Sequence, residues 1–180
     1  SEKKDKLQVL PYVARVDLER PMDMRRLNRL IRVAGALEIR TAAKKIQEIL
    51  DFSREERIPY LEETCIVTLC QLLTRSIIEQ SREYFKEPGR NIRSLNGYIR
   101  GARFMPPQIM IVPLVHILQA PGLTPQSRAL AVDSLTAMDL SSLRRVLPAL
   151  IKALDVADAD DALRLDIGAV LAKHGDGSIS

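Results

Sequence analysis

VPLVHILQAPGLTPQSRALAVDSL, residues 112–135, decides the fold class. Leu114 and Leu118 are four positions apart and share one helical face, while Arg128 opens a second apolar run that closes on Leu135. Between the runs, Pro121, Gly122 and Pro125 punctuate the chain, and Thr124 is placed to cap a helix whose first position is Pro125. The stretch therefore reads as helix, turn, helix. The same order returns further on: Leu114, Leu118, Arg128 and Leu135 are matched by Leu150, Leu154, Arg164 and Leu171, each 36 positions later. Pro113 recurs as Pro148 with a one-residue slip, and Asp158 stands as the cap before the run from Asp160 to Lys173. Self-similarity at such a period marks stacked helical pairs, because one pair cannot bury its apolar face alone.

Outward from this stretch, helical spacing continues and period-2 alternation is absent. Three Phe, four Tyr and no Trp leave little from which to build a sheet. Met24 to Leu37 places Leu27, Leu30, Ile31, Ala34 and Leu37 on one face, with Asp23 as N-cap and Gly35 as an end or bend. Ile39 to Leu50 repeats the pattern, and Ser53-Arg-Glu-Glu56 reads as a capping box. From Pro59, the stripe Leu61, Cys65, Ile66, Leu69, Leu72, Leu73, Ile77 and Ile78 predicts one long helix ending before Pro88-Gly89. A short helix over Ile92–Ile99 follows, and Pro106-Pro107 opens the next segment. The fold class is all-α, and we expect residues 1–10 to be a tail or linker. Residues 11–180 then form a single domain, with a helical N-terminal part over 11–105 and two helix pairs over 106–174.

The stretch from Leu147 to Asp155, reading Leu-Pro-Ala-Leu-Ile-Lys-Ala-Leu-Asp, is followed by Arg164 and by Gly168-Ala-Val-Leu-Ala-Lys-His-Gly175. This resembles a HEAT repeat of the armadillo/HEAT class, which has Pro in the first helix, Asp at the turn and Arg early in the second. The copy at 112–138 is similar, but Gln119-Ala120-Pro121 stands where the turn Asp would be. Its spacing is also shorter than the roughly 40 to 47 residues usual for the class. The resemblance covers about residues 106–174. It implies antiparallel helical hairpins stacked as an α-solenoid in the C-terminal half, and a scaffold role. The alternative is two neighbouring hairpins that are alike by chance.

With 46% apolar and 28% charged residues, the 180-residue chain has an ordinary globular composition. No apolar run approaches the ~20 residues of a membrane span. The opening Ser-Glu-Lys-Lys-Asp-Lys carries no apolar signal stretch, and the missing initiator Met suggests a processed or excised piece. Cys65 and Cys70, five apart, turn away from each other by about 140° on a helix, so we expect buried thiols in a reducing, cytoplasmic setting.

No catalytic constellation assembles, and the chain is expected not to be an enzyme, with no cofactor and no metal. Gly89-Arg-Asn-Ile-Arg93 lacks phosphate-loop spacing. His116 and His174 are 58 apart; His116 is expected partly buried or facing a groove, and His174 at a helix C-terminus. Asp158, Asp160 and Asp161 lack the Gly and Glu that a calcium loop needs.

Charge is the informative quantity. The net +4 divides into +4 over residues 1–40, −2 over 41–87, +5 over 88–132 and −3 over 133–180. Between Glu87 and Asp133 there is no acidic residue, and Arg90, Arg93, Arg100, Arg103 and Arg128 carry the positive charge. A second surface is Arg25, Arg29 and Arg32, which fall within about 60° on a helical wheel, with Arg26 beside them. Arginine's planar fork suits carboxylates and phosphates, although a solvated amphipathic face would look the same. These nine arginines are the candidate partner-binding residues. The expected function is a protein–protein interaction module, an adaptor presenting arginine to an acidic partner protein or segment. The alternative is a nucleic-acid module that holds the phosphate backbone, against which stands the shortage of aromatic residues for base stacking.

Overall fold

The computed structural model describes residues 2–20, 23–88, 91–120 and 122–138, together with the helical positions Pro148, Gly168 and Ala172. Eight α-helices and no strand occur among the described residues: α1 (Glu2–Ala14), α2 (Met24–Ala36), α3 (Ala43–Glu55), α4 (Pro59–Leu72), α5 (Arg75–Lys86), α6 (Ile92–Gly101), α7 (Pro107–Gln119) and α8 (Pro125–Thr136). They fall into two compact units, 1–80 and 81–180, and α5 runs across the boundary.

In the first unit α4 is the central helix. It buries Leu61, Cys65, Ile66, Thr68, Leu69, Cys70 and Leu72, on more than one face, and packs against both α2 and α3. From α2 come Leu27, Ile31 and Ala34, and from α3 come Ile46, Ile49 and Leu50. Gly35 does not end α2. It lies buried against α4, where an added Cβ would meet the Gln71 side chain and, at 3.0 Å, Cγ2 of Thr68. The Thr68 hydroxyl donates across this contact to the Ile31 carbonyl (3.4 Å).

Helices α2 and α3 stop in the same way. Ile39 N–H donates to Ala34 and Glu38 N–H to Gly35, while Ile58 N–H donates to Ser53 and Arg57 N–H to Arg54. These are paired Schellman bonds, and they put Glu38 (φ 51°) and Arg57 (φ 56°) in the left-handed region that glycine prefers. The Ser53 box is therefore corrected: Ser53 is buried inside α3, its hydroxyl donates to Leu50 carbonyl (2.7 Å), and α4 starts at Pro59 without a side-chain cap. The single long helix from Pro59 is also corrected. Leu73 adopts φ 53° and ψ 44°, and Thr74 starts a new helix by accepting the Ile77 N–H (3.3 Å). The stretch expected as a tail is helical from Glu2.

The second unit packs α8 against both α6 and α7. Leu95, Tyr98 and Ile99 meet a core shared with Met110, Leu114, Ile117, Ala131 and Leu135. Tyr98 stacks on Tyr84 with ring centroids 4.5 Å apart. Asn91 and Thr124 cap α6 and α8, and Pro107 and Pro125 occupy first-turn positions. His116, expected partly buried or facing a groove, is exposed in the last turn of α7. The second copy of the pattern, with Leu150, Leu154, Asp158, Arg164, Leu171 and His174, lies outside the described residues.

Candidate functional site

Asp23 caps α2 by accepting the N–H groups of Arg25 (2.9 Å) and Arg26 (3.3 Å), which fixes the start and hence the phase. With Leu27, Ile31 and Ala34 turned into the core, Arg25, Arg26, Arg29 and Arg32 are all exposed. None of the four forms an ion pair among the described residues.

Helix α1 changes what that face is. It packs against α2, and the chain between them helps to enclose a groove of about 650 Å³. Tyr12, Val16, Leu27, Leu30 and Val33 supply its apolar surface, and Arg15, Arg20, Arg26 and Arg29 its cations. Tyr12 is 59% exposed and Val33 43%, so this apolar surface is open to solvent. Two carboxylates also line it, and both are committed locally. Asp17 pairs with Arg20 (3.1 Å) and accepts the Glu19 N–H (3.1 Å), while Asp23 caps α2. Arg15, Arg26 and Arg29 have no carboxylate partner among the described residues. Arg25 and Arg32 point further round the helix and do not line the groove.

The other candidates belong to the second unit, where Arg90 lies outside the described residues. Arg93 and Arg100 are exposed on α6. Arg103 is half-buried and its Nε donates to the Arg100 carbonyl (3.1 Å). Arg128 is half-buried, and its Nη2 donates to the Ala120 carbonyl (3.2 Å). Its guanidinium is thus partly committed to the link between α7 and α8, while its Nε is buried without a partner among the described residues.

Sequence reasoning missed Tyr12, Arg15 and Val16. Their i, i+3, i+4 spacing was the available signal, but it fell at the edge of a presumed tail. For chemistry the described residues offer little. No group of three or more His, Cys, Asp or Glu among them could hold a metal ion. Burial pushes the Cys65 thiol far above its ordinary value of 9.0; the Arg54 guanidinium lowers it and the Glu62 carboxylate raises it by smaller amounts, so it stays a thiol at neutral pH. No described helix is long and apolar enough to cross a membrane. A scan of family models gives no match, and a search of curated proteins gives none.

Proposed function

We propose that the chain is a non-catalytic helical adaptor that holds an acidic partner protein on arginine-bearing surface. One observation carries this reading: Arg26 and Arg29 of α2, with Arg15 just beyond α1, stand around open apolar surface and lack carboxylate partners among the described residues, and Arg25 and Arg32 extend the exposed charge round the same helix. Desolvated arginine beside apolar contact is a common anchor at protein interfaces. The packed helices of the described residues are compatible with a HEAT-like stack in the C-terminal half, which is part of the same proposal. Support for it comes from α7 and α8, a packed pair joined by a short turn, with Pro113 inside α7 and Arg128 reaching back to that turn. Two free buried thiols fit a reducing, cytoplasmic setting.

Partner capture from the native cell, read by mass spectrometry, tests the reading. Changing Arg25, Arg29 and Arg32 together to Glu should abolish capture and leave the circular-dichroism melt nearly unchanged, since all three are exposed. The same change at Arg93, Arg100 and Arg103 asks whether the second unit contributes. Capture that survives the first triple change refutes the role given to α2. Binding to random duplex that weakens steeply between about 50 and 200 mM salt would instead assign the surface to nucleic acid.

A further inference from the structure

We infer that the groove between α1 and α2 seats a short linear segment of the partner in which bulky apolar side chains alternate with carboxylates. This rests on the adaptor reading and names the part of the partner that is read.

The case begins with what the groove leaves unsatisfied. Tyr12 and Val33 are exposed, and Leu30 is half-buried beside them, so apolar surface from two helices faces the same space. Around it stand Arg15, Arg26 and Arg29. The groove's own carboxylates do not answer them, because Asp17 is engaged by Arg20 and Asp23 by the first turn of α2. An occupant must therefore bring negative charge and apolar side chains together. Each requirement excludes a class: a phosphate backbone would meet the arginines but leave Leu30, Val33 and Tyr12 uncovered, while a purely apolar helix would desolvate three guanidinium groups without a counter-charge.

Size limits the occupant further. From Arg26 to Val33 the α2 wall is about 10 Å long at 1.5 Å per residue, which matches about two turns of a partner helix. The 650 Å³ volume is that of a site for one anchor cluster rather than a whole protein face. A segment with apolar residues at i and i+3 or i+4 and Asp or Glu on either flank fulfils both conditions.

The test uses the full chain and fluorescence anisotropy with three labelled peptides of about twelve residues, long enough for roughly three turns. One carries Leu and Phe at helical spacing with Glu elsewhere, one has its Leu and Phe replaced by Ser, and one has its Glu replaced by Lys. The first should bind, and the other two should bind at least about tenfold more weakly. Val33→Asp and the pair Arg15→Glu with Arg26→Glu should each weaken the first peptide about tenfold or more, with unchanged circular dichroism, whereas Arg82→Glu, at an exposed arginine that does not line the groove, should not. The inference is overturned if the first peptide fails to bind, if the Ser peptide binds equally well, or if Val33→Asp is without effect. An adaptor whose capture is lost on reversing Arg25, Arg29 and Arg32, but which ignores all three peptides, would lose this groove and keep the broader role. Capture that survives that reversal would instead strike the broader role itself.

Discussion

Glycine placed at residue 38 or 57 should make the protein more stable. Glu38 and Arg57 hold φ of +51° and +56° at the ends of α2 and α3, where a side chain crowds the following carbonyl. The left-handed conformation costs a non-glycine residue about 1–2 kcal/mol. Glycine adds freedom to the unfolded chain, which takes back about 0.4–1 kcal/mol. Both side chains are exposed, so little packing is lost, and each of Glu38→Gly and Arg57→Gly should gain about 0.5–1 kcal/mol. The positions close different helices, so the double variant should gain about 1–2 kcal/mol. Urea unfolding should show a higher midpoint with an unchanged slope, and a melting temperature higher by about 4–8 °C per kcal/mol if the first unit sets the transition. Alanine at the same positions keeps the Cβ and should gain nothing. A glycine variant no more stable than its alanine counterpart would refute the left-handed assignment and the two Schellman ends with it.

Other expectations follow from the core of the first unit. Cys65 and Cys70 should react with a thiol reagent only after denaturation, both being buried. Because folding raises the Cys65 value above 9.0, its contribution to stability is complete below pH 9 and is lost as pH rises beyond it, at about 1.4 kcal/mol per pH unit. Urea midpoints at pH 8 and 10 should therefore differ less in Cys65→Ala than in the parent. Gly35→Val should cost about 1–3 kcal/mol by forcing α2 away from Thr68 on α4, measured as a fall in urea midpoint. Asp23→Ala, which frees two N–H groups at the start of α2, should cost about 0.5–2 kcal/mol by the same measure.

The starts of α2, α7 and α8 were readable, because the signals are local: Asp23, Thr124, Pro107 and Pro125 each act within one turn of themselves. Interruptions set by packing were not. Leu73 turns left-handed although leucine has no preference for that region, and its apolar neighbours on both sides continue the stripe, so spacing alone ran through it. Ser53 carried the composition of a cap, yet its hydroxyl is satisfied within its own helix. The arginine face of α2 was visible as a phase relation on one helix. The groove was not, since it needs α1 laid beside α2, and nothing in residues 1–10 announces that pairing. Arg26, placed only as a flank to the other three, lines the groove, and Arg25 and Arg32 do not.

The hydroxyls sealed between α6 and α8 have a further effect. Ser127 donates to the Asn96 side chain (2.7 Å), and two turns along, Ser134 donates to the Ile99 carbonyl (2.6 Å). Leucine and alanine would tolerate one helix sliding past the other by a turn, about 5.4 Å, with similar apolar contact. That slide would break both bonds: the Ser134 hydroxyl, fully buried, would be stranded at about 1–3 kcal/mol, while Ser127, which also bonds the Thr124 hydroxyl (3.1 Å), would lose its link to half-buried Asn96. The two serines thus act as a vernier, selecting a single alignment from several that greasy contact alone would rate as equals.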